Sequence, residues 1–306
     1  KIPRSKVVSK TGIFWTLCPE RYRGWWTVIG DANTYDDIDI LSDFYMEEPR
    51  IRSKGYGEQH SPMDCWTCGD LHGRWLPTLF RDPRTKQLNS KTLREWMYAK
   101  ASPRIVEARQ GRPSLYMTMF QLLRPKRVLD VASAWGDRLL AAIAYGVDMY
   151  VGVDANPDLA PGYEHILQDF VPADRRDRFP MIISPSEKVT LPAGITYDLI
   201  LMSPAPYRTE TYSNEQDQAS NYPSYELWLL NYFFATLRKM WAHLADDGSI
   251  AITILDRTGK DNALHYVEVV QLYLQYKMRG AVMDGVIWWS GSFADVPFSM
   301  WRKDRR

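Results

Sequence analysis

The chain has 306 residues, 45% of them hydrophobic, and a formal net charge of +1. That length suffices for one large core, or one core with a smaller attachment, and the near-zero charge excludes an overall basic field, so any nucleic-acid contact must use a local patch. Three cysteines (Cys18, Cys65 and Cys68) are too few for a disulfide framework and point to a reducing, intracellular setting. No apolar run approaches the ~18 residues that span a bilayer, so no membrane association is expected. The basic N-terminus lacks the apolar stretch of a secretory signal, so secretion is not expected either.

The first hundred or so residues are rich in Trp, Pro, Gly and charge. Ile38, Leu41, Phe44 and Tyr45 share one face and predict a helix from Tyr35 to Glu48. Two more helices are expected over Thr92–Ala101 and Pro113–Leu123, the latter with proline at its start. From Arg127 strands and helices alternate. Strands are expected at Val128–Ala132, Met149–Asp154, Met181–Ser184, Tyr197–Met202 and Ser249–Leu255. Helices are expected at Asp137–Tyr145, Leu159–Phe170, Tyr225–Leu244 and Asn262–Met278. Gly285–Ser290 and Val296–Lys303, joined by Gly291–Asp295, read as a terminal hairpin. The expected fold is α/β and Rossmann-like, a mostly parallel twisted sheet with a terminal antiparallel hairpin and an irregular N-terminal region. Two parts are expected, residues 1–103 for target recognition or interaction and residues 104–306 for the α/β domain.

Ligands of an open α/β sheet bind outside the carboxyl ends of its strands. The chain crosses that edge at Asp130-Val-Ala-Ser-Ala-Trp-Gly-Asp137, where Ala132, Ser133 and Ala134 allow close backbone approach and Gly136 can take a positive φ. The next strand ends at Asp154, followed by Ala155. A carboxylate there suits a ribose diol, and roughly twenty residues from glycine turn to acid is the general nucleoside-binding spacing. The dinucleotide fingerprint G-x-G-x-x-G is absent.

Leu129–Asp137 with Val151–Pro157 resembles the first two motifs of class I S-adenosylmethionine (SAM) methyltransferases, with Ala132, Ser133 and Ala134 where glycines are common. The resemblance implies SAM as cofactor, Asp130 facing its methionine end, Asp154 on the ribose, and Ser186 and Glu187 beside the adenine. The fourth strand runs into Ser203-Pro-Ala-Pro-Tyr207, which resembles the Asp/Asn/Ser-Pro-Pro-aromatic motif of enzymes that methylate the exocyclic amine of adenine or cytosine. Glu210–Ser213, Tyr222–Tyr225, Trp228 and Asp247–Ile252 extend the likeness to Ser-Pro-Pro-Tyr-type amino-methyltransferases, which occur in bacteria, phages and large DNA viruses; Asp36–Arg50 is similar to a stretch of the viral members.

The resemblance implies methyl transfer to a nucleic-acid base, DNA before RNA, with Ser203 and Pro204 holding the amine and an aromatic ring stacked on the base. Aligned without a gap, Ala205 replaces the second proline and Pro206 the aromatic; with one inserted residue, Tyr207 is the aromatic. Both alignments stand, and with them both an active enzyme and a non-catalytic relative that binds or scaffolds. Target recognition falls to the loop Arg208–Pro223 and the N-terminal region, where Lys1, Arg4, Lys6, Lys10, Arg21 and Arg23 interleave with Trp15, Trp25 and Trp26. The same residues suit a small core or a protein partner. His60, Cys65, Cys68 and His72 have zinc-ligand types at tight spacing, and either a zinc site or two reduced cysteines with surface histidines accounts for them.

Overall fold

A computed structural model describes residues 15–19, 25–30, 41–55, 60–69, 76–77, 79–81, 93, 111–213, 219–257, 263–290 and 295–304, with backbone alone at 15–19, 25–30, 220, 288–290 and 295–297. In chain order the elements are β1 (Trp15–Pro19), β2 (Trp25–Gly30), α1 (Leu41–Arg52), β3 (Lys54–Gly55), α2 (Pro62–Thr67), α3 (Pro113–Leu123), β4 (Arg127–Val131), α4 (Asp137–Tyr145), β5 (Met149–Asp154), α5 (Ala160–Phe170), β6 (Met181–Ile183), β7 (Tyr197–Met202) and β8 (Glu210–Thr211). Then comes a helix that is α over Tyr225–Leu227, π over Trp228–Phe233 and α again over Phe234–His243 (α6). β9 (Leu244–Ile252), α7 (Tyr266–Lys277), β10 (Ala281–Ser290) and β11 (Asp295–Lys303) complete it.

Strand periodicity sorts the core into two layers. Val128, Tyr150, Leu199 and Leu201 face one side, against α1, α3, α4 and α5. Leu129, Val131, Val151, Val153, Ile200 and Met202 face the other, against the π segment, α6 and α7. Both faces being covered explains why these strands read as continuous apolar runs. The sheet order is β1-β2-β10-β11-β9-β7-β4-β5-β6. Counted from β4, and leaving out β8, which pairs elsewhere, the strands lie in the order 3-2-1-4-5-7-6. β11 runs antiparallel between β9 and β10, and β2 and β1 lie beyond β10 on that side of the sheet. This is the Rossmann-like architecture expected of class I methyltransferases.

Several boundaries differ from those expected. β4 stops at Val131 because Ala132 turns to φ 65. β9 begins at Leu244, directly after α6, and the helix before it carries the π segment. α7 starts at Tyr266, and the expected start at Asn262 lies outside the described residues, as does Thr92–Ala101 apart from Leu93. The N-terminal strands join the main sheet: β2 lies parallel to β10, and β1 antiparallel to β2. The expected division at 103/104 lies outside the described residues. Among the described residues no helix is long and apolar enough to cross a membrane.

α1 packs against the start of α4 and against α5. Its Met46 is fully buried, and a Cβ on Gly162 of α5 would lie 2.5 Å from Met46 Sδ and 2.7 Å from the Tyr45 carbonyl. The absence of a side chain at Gly162 is what lets the two helices approach. Ser42 Oγ donates to Asp137 Oδ1 at 2.6 Å, and Asp43 pairs with Arg50, all of these groups buried. Burial pushes the Asp137 carboxyl up to about 7 and Asp43 adds to the rise, while the Ser42 hydroxyl, Arg50 and Arg138 pull it down.

The sign of the pH effect comes from that shift. Between about pH 4 and 7 the folded protein keeps a proton on Asp137 that the unfolded chain has lost, so this stability is present at low pH and fades as pH rises through 7. Asp137→Asn, which cannot ionise, is expected to flatten the fall. Denaturant melts from pH 4 to 8 measure it, and parallel curves for both proteins would refute the assignment.

Candidate active site

The turn after β4 carries three left-handed residues in alternation: Ala132 at φ 65, Ala134 at φ 49 and Gly136 at φ 81. Gly136 adopts this conformation freely, whereas an alanine there costs about 1–2 kcal/mol. The alternation turns backbone groups toward the space outside β4, and side chains hold it in place. Arg138, in the first turn of α4, reaches back with Nε to Asp130 Oδ2 at 2.8 Å and with Nη2 to the Ala132 carbonyl. The Tyr163 hydroxyl donates to the Ala134 carbonyl, and Ser133 Oγ to the Asp130 carbonyl at 3.1 Å.

Asp130 is wholly buried. Arg138 and the Tyr150 hydroxyl occupy its Oδ2, and Oδ1 has no hydrogen-bond partner among the described residues. Asp154 stands one strand over. Its Oδ2 accepts the Ala134 N–H at 2.8 Å and its Oδ1 the Asn156 N–H at 3.0 Å. Burial raises its carboxyl above the usual carboxylate range, and these two amides oppose the rise. An ionised carboxylate offers about four acceptor sites, so both oxygens keep capacity for a further donor. Ala155 is half-buried beside it.

Past β6, Ser186 is buried and Glu187 half-buried. The Tyr222 hydroxyl donates to Glu187 Oε1 at 3.1 Å, while Oε2 is buried without a partner among the described residues. Lys239 Nζ fixes this segment by donating to the carbonyls of Glu187 and Val189, both at 2.7 Å. β8 pairs with β3 and carries the chain back toward the turn, where the Tyr212 ring lies 6.1 Å from Trp135 and the Tyr212 carbonyl accepts from Asn156 Nδ2 at 3.5 Å.

The Ser203–Tyr207 segment leaves β7 at the same edge. The Thr253 N–H donates to the Met202 carbonyl at 3.0 Å and Arg257 Nη1 to the Tyr207 carbonyl at 3.3 Å. Ser203 is half-buried and Pro204 buried. Tyr207 is only 7% exposed and belongs to the second core layer. Its hydroxyl donates to the Pro223 carbonyl at 3.3 Å, its ring lies 6.1 Å from that of Tyr225, and the Arg208 guanidinium sits 5.1 Å from its centroid. A buried ring so placed clasps the loop to Pro223, and stacking on a base from here would require the loop to swing out.

Asp130, Ala132, Ser133, Gly136, Asp154, Ala155, Ser186, Glu187, Ser203 and Pro204 thus gather at the carboxyl ends of β4–β7. A cavity of about 480 Å³, lined in part by Arg238, Lys277, Arg279 and Lys303, lies instead at the opposite edge, where β9 and β10 begin. The convergence of buried polar groups makes the former edge the better candidate. Reading motifs alone misses Arg138; an arginine one residue after the turn's terminal acid was the available signal for it. Of the zinc candidates, Cys65 is buried and outside any disulfide, Cys68 and His60 are exposed, and His72 lies outside the described residues. Among the described residues no three His, Cys, Asp or Glu side chains are grouped to hold a metal. The N-terminal cations Lys1, Arg4, Lys6, Lys10, Arg21 and Arg23 also lie outside the described residues.

The two left-handed alanines give a direct test of strain. Ala132→Gly and Ala134→Gly are each expected to leave stability unchanged or raise it by up to about 1 kcal/mol, because relief of the positive φ outweighs the entropy that glycine adds to the unfolded chain. Thermal melts decide, and a clear loss at both positions would show that the φ values carry no strain.

No protein-family model matches the chain, and no curated protein matches it in sequence. Solved structures of similar fold include TrmN from Thermus thermophilus, at 16% identity and a TM-score of 0.43 over 63% of this chain and 49% of that one. This chain therefore matches about half the length of the Thermus protein. An rRNA methylase from Streptococcus thermophilus is similar at 12% identity and a TM-score of 0.40, over 65% of this chain and 100% of that one. The N-methyltransferase NodS from Bradyrhizobium japonicum WM9, in complex with S-adenosyl-L-homocysteine, is similar at 12% identity and a TM-score of 0.39, over 61% of this chain and 85% of that one.

Proposed function

We propose that the chain is a SAM-dependent methyltransferase acting on an exocyclic amine of a nucleic-acid base. DNA adenine N6 or cytosine N4 is the first choice of acceptor, and RNA the second. The observation that carries this reading is one sheet edge holding both Asp154, with acceptor capacity left on each oxygen, and the Ser203–Pro204 segment. The residues fit the cofactor: Asp154 suits a ribose diol, and the buried oxygens Asp130 Oδ1 and Glu187 Oε2, without a partner among the described residues, suit N–H donors such as the ammonium of a methionine moiety and the amine of adenine. When bound, SAM supplies an electrophilic methyl group.

The chain's own residues supply the rest. A base amine is a weak nucleophile because its lone pair is delocalised into the ring. Ser203 Oγ and the Pro204 carbonyl accept its two N–H bonds, which helps to localise that lone pair and fixes its direction of attack. The largely buried surroundings limit access of water. Recognition of the target falls to the Arg208–Pro223 loop and the N-terminal region, whose Trp and Arg residues also suit a protein partner.

A second reading is a methyltransferase-like subunit that binds or scaffolds without catalysis. The burial of Tyr207 favours it, since that side chain is then a packing residue. Tyr207→Ala is accordingly expected to destabilise the fold by about 3–5 kcal/mol, as for other large aromatic truncations.

Calorimetry with S-adenosyl-L-homocysteine and transfer of labelled methyl to single-stranded DNA, duplex DNA and RNA test the first reading. Asp154→Ala is expected to weaken binding at least tenfold, since each lost bond to a charged group is worth ~1.5–3 kcal/mol. Ser203→Ala should slow transfer and leave cofactor binding intact. Tight binding without transfer to any of the three acceptors would select the second reading, and absence of binding would refute the first.

A further inference from the structure

We infer that the cation-lined cavity at the sheet edge remote from the candidate active site is a docking site for the phosphates of a nucleic-acid strand. The inference rests on the reading above in one respect, that the chain works on nucleic acid. The cavity, of about 480 Å³, lies where α6, α7 and β11 end. Arg238, Lys277, Arg279 and Lys303 line it, against two acids, Asp246 and Asp304. None of these six side chains makes an ion pair among the described residues. Arg302, the neighbour of Lys303 in the chain, lies by contrast against both Asp247 and Asp284. Unpaired cations in excess around one concavity make a local positive field in a chain whose net charge is only +1.

The fold holds the wall of this cavity in place. Trp241 donates its indole N–H to the Arg279 carbonyl at 3.3 Å. The Asp304 N–H donates to the Gly280 carbonyl at 2.8 Å, and a Cβ on Gly280 would lie 2.8 Å from the Asp304 carbonyl oxygen. Lys303 Nζ donates to the Leu244 carbonyl at 2.9 Å, and Arg238 Nη1 to the Tyr273 hydroxyl at 2.8 Å. These partners are neutral, and an ammonium or a guanidinium has further donors to offer. Lys277 and Arg279 are exposed, and their side chains make no hydrogen bond among the described residues.

The lining suits phosphate and offers a base nothing to stack on. Its apolar members, Trp241 and Met278, are 7% and 8% exposed and belong to the second core layer. Guanidinium and ammonium groups bind phosphate oxygens through charge-assisted hydrogen bonds. A nucleic-acid backbone presents phosphates with no need of a base pocket. Position agrees with this choice. β9 carries Asp246 of the cavity wall near its start, and its last residue, Ile252, pairs with Met202, from which the Ser203–Tyr207 segment leaves. Nine residues at ~3.3 Å of rise put the two ends of β9 up to roughly 26 Å apart. That distance is about eight base-pair steps of duplex. A contact so far from the acceptor edge adds affinity for long strands and leaves the chemical step alone.

The test uses Lys277→Gln combined with Arg279→Gln, because these exposed side chains support no other part of the fold and their loss costs little stability. A thermal melt checks this. Fluorescence anisotropy follows binding of labelled single-stranded DNA, duplex DNA and RNA of about 20 nucleotides at about 50 to 200 mM salt. The double variant is expected to bind the single strands at least about tenfold more weakly at about 50 mM salt. Its plot of log affinity against log salt should be flatter by about 1.4, since each phosphate contact on a single strand contributes about 0.7. In labelled methyl transfer the KM for the long strand should rise with kcat kept, while a trinucleotide acceptor and S-adenosyl-L-homocysteine binding are unaffected. Equal affinity and equal slope in the two proteins would overturn the docking site. So would competition by polyglutamate as effective as that of the oligonucleotide, which assigns the cavity to an acidic protein segment, or by AMP, which assigns it to a free nucleotide. A wild type that binds no nucleic acid overturns it as well. Binding that the double variant loses, with no transfer by the wild type, overturns the methyl-transfer reading and leaves the docking site standing.

Discussion

Arg138 and Asp130 form an ion pair with both side chains almost wholly out of water, at 6% and 0% exposure. The turn after β4 depends on it. Breaking a buried pair by removing one partner typically costs about 3–5 kcal/mol, because the other charge is stranded. The left-handed Ala132, whose carbonyl Arg138 holds, stores about 1–2 kcal/mol, so the clamp and the strain are of the same order. The guanidinium lies 5.5 Å from the Tyr116 ring centroid, and Asp130 also accepts the Tyr150 hydroxyl, so α3, β4, β5 and α4 meet at a single pair of charges. The nearby Asp154 takes one of its two amide donors from Ala134 of the braced turn.

The N-terminal part enters the same construction. Ser42 reaches Asp137, the residue directly after Gly136, and β3 pairs with β8, which leads to the Tyr212 beside Trp135. These contacts span 95 residues in one case and over 150 in the other. α1 is thus tied to the turn after β4 through the buried carboxylate of Asp137, whose ionisation its burial opposes.

Legibility in the sequence tracked the range of the interactions. The strand at 127–131, the turn through Gly136, α4 and the acid at 154 are specified by neighbours in the chain, and their pattern is visible without a structure. The terminal hairpin is equally local. The docking of β2 on β10 is not, because a short strand's pairing partner leaves no local mark. The π segment also escapes: Trp228 to Phe233 is apolar almost throughout, so periodicity cannot separate 3.6 residues per turn from a wider turn. The aromatic at 207 was read by alignment to a motif, which fixes residue type but not which way the ring faces; the hydrogen bond to Pro223 turns it inward.

The departure from the glycine-rich motif has its own physical logic. At 132 and 134 the backbone must be left-handed, and glycine would adopt that conformation without assistance; here alanines adopt it, with their carbonyls held by Arg138 and Tyr163. An intrinsic backbone preference is thereby replaced by side chains from neighbouring elements. Random loss of a function gives no reason for partners to stand at the altered positions. A turn whose substituted alanines have found such partners is a turn still held in one conformation.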